Sequence, residues 1–171
     1  MLPLAMAITL HELGHLAAIR LLGGKIRGIT PAPFGLCINL DDSSLSLCGE
    51  AIVSAAGCIV NLASVAVSVL LYKFFGIDII DFGIVSAALA LLNLIPAKPL
   101  DGGRLMETLA EVIFGPNVSY VISAVVTYAF GLVVFLFASY SLLTSQNGIY
   151  PLLFSIYLFV CNAKSLEKAV L

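Results

Sequence analysis

Residues 9–15 read TLHELGH and lie inside an apolar stretch, Leu2–Leu22, that is long enough to cross a membrane. The pattern His-Glu-x-x-His on a helix is a zinc-ligand pattern with a general base beside it. A helix turns about 100° per residue, so His11 and His15 lie one turn apart and can reach the same metal ion. Glu12 lies one step round the helix, where a carboxylate can hold and deprotonate a metal-bound water. Catalytic zinc usually has three protein ligands, so a third ligand must come from elsewhere.

The alternative is that the two histidines have only a structural role and that their ring nitrogens form ordinary hydrogen bonds. These two are the only histidines among the 171 residues of the chain. Unpaired polar groups inside an apolar span are costly, which makes such a cluster a functional-site hypothesis by default. The clustering of the two histidines therefore favours a metal site over a purely structural role.

The composition is that of a polytopic α-helical membrane protein. Hydrophobic residues make up 61% of the chain, charged residues make up 11%, and the mean hydropathy is +1.11. A soluble domain is near 45–50% apolar and about 25% charged. The net charge is −2, and because the sequence has no basic patch we expect no nucleic-acid partner. Cys37, Cys48, Cys58 and Cys161 show no CxxC spacing and are predicted to be structural, the last two as small apolar residues within spans.

The apolar segments predict about five transmembrane helices, a short membrane-associated β-ribbon and one short helix. We treat residues 1–171 as a single membrane-embedded core, with no cleavable signal peptide and no soluble domain. The predicted spans are Leu2–Leu22, Glu50–Phe75, Asp81–Ile95, Val118–Leu143 and Tyr150–Ala163. The predicted ribbon segments are Lys25–Thr30, Phe34–Leu40 and Leu45–Cys48, with a turn at 41–44. The short helix is Arg104–Phe114, which ends at Gly115-Pro116.

The loop charges predict the orientation of the chain in the membrane. Seven basic residues fall on one side under this topology, and Lys73 alone falls on the other. By the positive-inside rule, the ribbon, the loop after the third span and the C-terminus are cytoplasmic. His11 and His15 then lie in the cytoplasmic half of their helix. The seven basic residues are Arg20, Lys25, Arg27, Lys98, Arg104, Lys164 and Lys168.

A second motif follows the third span, where residues 93–104 read NLIPAKPLDGGR. Pro96 and Pro99 interrupt any helix, and the two glycines after Asp101 free the backbone, so we expect the Asp101 carboxylate on a non-helical turn. Irregular backbone at membrane depth is tolerated only when it is buried in protein or lines a cavity. Asp101 is therefore the candidate third metal ligand, and the alternative is a plain loop with an Asp turn.

Together, HELGH in one span and N-x-x-P-x-x-P-L-D-G-G-R two spans later resemble the site-2 protease family of intramembrane zinc metalloproteases. Gly57 and Asn61, four residues apart in the second span, look like the middle motif of that family. The ribbon after the HELGH helix is similar as well. The compact core and the Pro33-Phe34-Gly35 stretch are most similar to the bacterial stage IV sporulation processing type.

The resemblance implies a residue role for each motif. His11, His15 and Asp101 would bind one Zn²⁺ per chain, and Glu12 would be the general base and acid. Asn61 and Asn93 would lie near the metal, where they bind the substrate backbone or stabilise an oxyanion. Helix–helix hydrogen bonding is the alternative for both asparagines, because an amide in lipid needs partners.

Three departures from the family pattern stand out. Only ten residues precede His11, where the family usually has a further transmembrane helix. Cys58 stands where the family commonly has proline. No PDZ-like or CBS-like domain is expected, so regulation would come from the core or from a separate membrane protein.

The function that follows is zinc-dependent, regulated intramembrane proteolysis of a membrane-associated substrate, within or near the cytoplasmic half of the bilayer of a bacterial cell membrane. A non-catalytic zinc-binding pseudoprotease would use the same ligands but has no need of Glu12. A metal transporter is the third class. Transporters usually spread their ionisable groups over several helices and both halves, whereas here the site residues are predicted on one side.

Overall fold

The computed structural model describes the backbone of residues 2–32, 35–40, 45–145 and 148–170. Over these ranges the chain is mostly helical and divides into two compact units, Met1–Leu94 and Ile95–Leu171. The first unit contains α1 (Leu2–Leu21), β1 (Ile26–Ala32), β2 (Gly35–Leu40), α2 (Leu47–Phe75) and α3 (Ile80–Asn93). The second unit contains α4 (Asp101–Phe114), α5 (Pro116–Ser145) and α6 (Ile149–Val170).

In the first unit, α1 packs against α2 and α3, and α2 packs against α3. The buried positions of these helices are mostly small residues, as is typical of helix contacts in membranes. Gly14 shows why small residues are needed, because a Cβ there would lie 2.9 Å from Val60 Cγ2 and 3.0 Å from the Ala56 carbonyl oxygen. α1 and α2 therefore approach each other closely along the face that carries the HELGH motif.

Two strands, β1 and β2, form an antiparallel ribbon whose pairing runs from Ile26 opposite Leu40 to Ala32 opposite Gly35. A bulge between Ile26 and Gly28 interrupts the register. The predicted turn at 41–44 and residues 33 and 34 of the Pro-Phe-Gly stretch lie outside the described residues. The ribbon's place near a membrane face stays a prediction.

The third predicted ribbon segment, Leu45–Cys48, is wrong. Ser46 caps the N-terminus of α2, and its Oγ accepts a hydrogen bond of 3.2 Å from the Gly49 N–H. Serine at this position satisfies one of the free N–H groups of the first helical turn, so the chain starts a helix where a ribbon strand was predicted. Cys48 consequently lies on the first turn of α2, and the side chain of Cys37 is outside the described residues.

In the second unit, α5 packs against both α4 and α6. The predicted break at Gly115-Pro116 is found, with Gly115 at a φ of 81° and Pro116 as the first residue of α5. The α5–α6 contact includes a buried amide, because Asn162 Nδ2 donates to the Ala124 carbonyl oxygen at 3.2 Å. The rings of Tyr128 and Phe159 stack nearby, with centroids 5.9 Å apart.

Among the described residues, three helices are long and apolar enough to cross a membrane: Leu2–Leu21, Leu47–Phe75 and Pro116–Thr144. They correspond to the first, second and fourth predicted spans. The third and fifth predicted spans fall on shorter apolar helices, Ile80–Asn93 and Ile149–Ala163. The helical membrane class is thus found, whereas the total of five spans and the sidedness stay predictions.

Candidate metal centre

The two histidines of α1 point into the first unit. His11 is 5% exposed and His15 is 8% exposed, whereas Leu13 between them is 51% exposed. The helical period explains this difference, because residues four apart share a face and the residue midway faces the other way. α1 therefore turns both imidazoles toward α2 and an apolar side chain outward.

The two imidazoles are spaced like two ligands of one ion. Their Nε2 atoms lie 3.2 Å apart, and the ring planes meet at 83°. Two nitrogens at about 2.0–2.1 Å from a tetrahedral zinc ion would be roughly 3.3 Å apart. The imidazole pair therefore fits a single metal ion without rearrangement of α1.

Gly57 of α2 provides the space in front of this pair. A Cβ at Gly57 would lie 2.4 Å from His15 Nε2 and 2.8 Å from His11 Nε2. No side chain larger than a hydrogen atom fits there with the rings in place. The Nε2 atoms that would bind a metal therefore face a part of the α2 surface where only glycine leaves enough space.

The other ring nitrogen of each histidine contacts α2 as well. His15 Nδ1 lies 2.8 Å from the Val53 carbonyl oxygen, to which it donates as N–H. That bond leaves a lone pair on His15 Nε2, which is the arrangement of most zinc-binding histidines. His11 Nδ1 lies 3.2 Å from Nδ2 of Asn61, a residue with 0% exposure.

Cys58 is a neighbour of the site that sequence reasoning missed. Its Sγ and a ring nitrogen of His11 lie within 4.8 Å of each other, and its side chain is 2% exposed. The signal was present in the sequence, because Cys58 directly follows Gly57 in the middle motif. The thiol is buried as predicted, but it is buried beside an imidazole rather than in a purely apolar contact.

The remaining predicted site residues of the first unit are Glu12 and Asn93. Glu12 is partly buried on α1, one residue after His11. Asn93 is the last residue of α3, and its Nδ2 donates to the Leu89 carbonyl oxygen of the same helix at 3.2 Å. The role of Glu12 as general base and that of Asn93 near a metal stay predictions.

Asp101 belongs to the second unit, where it is the first residue of α4 rather than part of a non-helical turn. Leu100 precedes it in an extended conformation and serves as the N-cap. The helix dipole favours a carboxylate in the first turn, which is why the chain can begin a helix at this residue. Its place in one ligand set with the histidines stays a prediction.

The Pro-x-x-Pro segment packs tightly on the start of α4. A Cβ at Gly103 would lie 2.5 Å from both the Ala97 carbonyl carbon and the Lys98 nitrogen, so glycine is required for this approach. The Lys98 N–H donates to Thr127 Oγ1 of α5 at 3.0 Å, and the Lys98 ammonium pairs with Glu107 of α4. These bonds hold the backbone before Asp101 against two helices.

Comparison with known proteins adds family information to this geometry. Residues 77–138 match the model of peptidase family M50. A zinc metalloprotease of Methanocaldococcus jannaschii is 30% identical over 145 residues, which cover 81% of this chain and 42% of that protein. A putative zinc metalloprotease of Synechocystis is 30% identical over 141 residues, which cover 73% of this chain and 35% of that protein.

The fold is also similar to that of a solved protease structure. The site-2 protease from Methanocaldococcus jannaschii matches with a TM-score of 0.72 and 28% identity, over 95% of this chain and 75% of that chain. The chain spans less than half the length of the two curated relatives. The match to the family model includes Asp101 and ends before α6.

Proposed function

Because the chain carries a domain of peptidase family M50, the site-2 protease family, we propose that it is a zinc-dependent intramembrane endopeptidase. The observation that carries the proposal is the pair of Nε2 atoms 3.2 Å apart on a helix apolar enough to cross a membrane. Clustered ionisable groups in such a helix indicate a functional site, and the spacing of these two nitrogens is that of two ligands on one tetrahedral zinc ion.

His11, His15 and Asp101 would hold one zinc ion per chain. When bound, zinc polarises the scissile carbonyl and makes a hydroxide-like water available at neutral pH. The Glu12 carboxylate would accept the proton of that water and deliver it to the leaving amine. The Val53 carbonyl accepts the Nδ1–H of His15, which leaves the Nε2 lone pair of that ring available to a metal.

The proposed substrate is a transmembrane or membrane-associated protein. A helical substrate keeps its carbonyls in i→i−4 hydrogen bonds and must unwind locally before hydrolysis. The edge of the β1–β2 ribbon offers backbone groups to which an extended segment can add as a further strand. The charge asymmetry supports cleavage in the cytoplasmic half of a bacterial cell membrane, and a separate membrane protein would regulate access.

The test is a Glu12→Gln variant, whose zinc content is measured on the purified protein and whose cleavage activity is measured in cells. We expect zinc stoichiometry to be unchanged and cleavage of a co-expressed single-span membrane protein to fall by about 10²–10⁴-fold, the usual contribution of a general base. Glu111→Gln is the matched control, because it removes the same charge from a partly buried residue of α4. Normal cleavage by Glu12→Gln would show that the proposed mechanism is wrong.

A cleavage assay with and without a chelator separates the endopeptidase from the second candidate, a zinc-binding pseudoprotease that holds membrane clients. It predicts zinc binding and client association in the wild-type protein but no chelator-sensitive cleavage. A metal transporter predicts zinc flux into proteoliposomes, which the endopeptidase does not. Cleavage that stops with a chelator and returns with zinc supports the endopeptidase against both.

A further inference from the structure

One stripe of α2 contacts both histidines. Val53, Gly57 and Asn61 are spaced four residues apart, so they follow one face of α2 over two turns. The Val53 carbonyl oxygen binds His15 Nδ1, Gly57 faces both Nε2 atoms, and the Asn61 amide meets His11 Nδ1. The two ends of the stripe thus each contact the Nδ1 atom of one imidazole.

The side-chain amide of Asn61 is buried against the imidazole of His11. The residue has 0% exposure, and its Oδ1 is buried without a hydrogen-bond partner among the described residues. A side chain that binds substrate backbone must present a polar group to the substrate. The amide of Asn61 instead faces the imidazole at 3.2 Å.

The position of the proton on a neutral, metal-binding imidazole determines whether Asn61 must present its carbonyl oxygen or its NH2 group to His11. A ring nitrogen that binds a metal must keep its lone pair, so the ring proton must sit on the other nitrogen. For His15 that proton sits on Nδ1 and is held by the Val53 carbonyl. In the structure Nδ2 of Asn61 faces His11 Nδ1. Rotation of the amide by about 180° would exchange its two end atoms and bring Oδ1, the acceptor that His11 Nδ1–H requires, to this position. This orientation also gives the buried Oδ1 a partner.

We propose that Asn61 is a positioning residue whose Oδ1 accepts a hydrogen bond from His11 Nδ1–H and so directs the lone pair of His11 Nε2 to zinc. The proposal rests on the proposed zinc site and assigns Asn61 a role different from substrate or oxyanion binding. Zinc-binding histidines commonly donate their second N–H to a carbonyl or carboxylate, and loss of that partner typically lowers metal affinity by about 10–100-fold.

The first test measures zinc affinity of the full chain by competition with a chelator. We expect Asn61→Leu to weaken zinc binding by about 10–100-fold and Asn61→Asp to bind within a few-fold of wild type, because a carboxylate also accepts from Nδ1–H. Asn162→Leu is the matched control, since it removes a buried amide that bonds to backbone in the second unit. That variant should lose stability and keep zinc affinity.

Two results would overturn the proposal. Wild-type zinc affinity in Asn61→Leu together with a raised KM would show that the amide binds substrate. Equal loss of affinity in Asn61→Leu and Asn61→Asp would show that the acceptor oxygen is not what matters.

A second measurement needs no variant. The chain has only two histidines, so labelling histidine with nitrogen-15 reports on this pair alone. In the zinc-loaded protein we expect both rings to be protonated at Nδ1 and metal-bound at Nε2. A His11 ring bound to zinc through Nδ1 would contradict the proposed role of Asn61 but not the proposed protease function. Failure of either ring to bind zinc would contradict the proposed function itself.

Discussion

Substitution of Gly57 by alanine tests the geometry of the metal centre most directly. The added Cβ would lie 2.4 Å from His15 Nε2, whereas ordinary van der Waals contact begins at 3.4 Å, so the atoms must separate by about 1 Å. Metal–ligand distances tolerate only about ±0.2 Å. A shift of about 1 Å therefore removes at least one imidazole from the metal.

The expected result is a fall in zinc affinity of at least about 100-fold, the upper end of the effect of losing an outer hydrogen bond. Overpacking should also cost about 1–3 kcal/mol of stability, partly offset by the roughly 1 kcal/mol that alanine gains over glycine in a helix. The assay combines chelator competition, zinc analysis and thermal unfolding followed by circular dichroism.

Gly83→Ala is the matched control within the first unit. Its Cβ would lie 3.0 Å from Ser68 Cβ, at the α2–α3 contact, so it carries the same helix-propensity gain and a milder overpacking. It should keep zinc affinity near wild type. If Gly57→Ala binds zinc like wild type, the Nε2 atoms do not bind a metal ion beside Gly57. The proposed geometry of the metal centre is then refuted. Equal zinc loss in both variants would also refute it.

Two further predictions concern the second unit. Asp101→Ala should lower zinc content at equilibrium, measured by elemental analysis, because it removes a ligand; unchanged stoichiometry would take Asp101 out of the ligand set. Gly103→Ala should destabilise the protein by about 1–3 kcal/mol in thermal unfolding, because its Cβ would lie 2.5 Å from backbone atoms of Ala97 and Lys98. A neutral effect would mean that the backbone at 97–98 can move away freely.

The start of α2 and the start of α4 show where sequence patterns were insufficient. Leu45–Cys48 was predicted as a strand, but Ser46 caps a helix, and its hydrogen bond to Gly49 outweighs the strand preference of only four residues. Asp101 was expected on a turn because two glycines follow it. Those glycines are instead buried in the first turn of α4, and Gly103 is required by packing rather than by backbone freedom.

The asparagines of the site show a different gap. The middle motif pointed to Gly57 and Asn61, and both lie against the histidines. The motif did not indicate that the amide of Asn61 faces His11 Nδ1. Asn93 donates a hydrogen bond to a carbonyl of its own helix. Residue spacing in the sequence cannot distinguish such a bond from a role at the metal site.

Local chemistry alone determined the membrane class, the helix that carries HELGH, the shared face of His11 and His15 and the break at Gly115-Pro116. These features depend on composition and on contacts within about one helical turn, which sequence spacing encodes. The tertiary structure decided what surrounds the imidazoles. Val53 and Asn61 bind rings that are 38 and 50 residues away in sequence, and Gly57 clears the space between them. Such contacts depend on how α1 and α2 are rotated against each other, and that rotation is set by packing over their whole length.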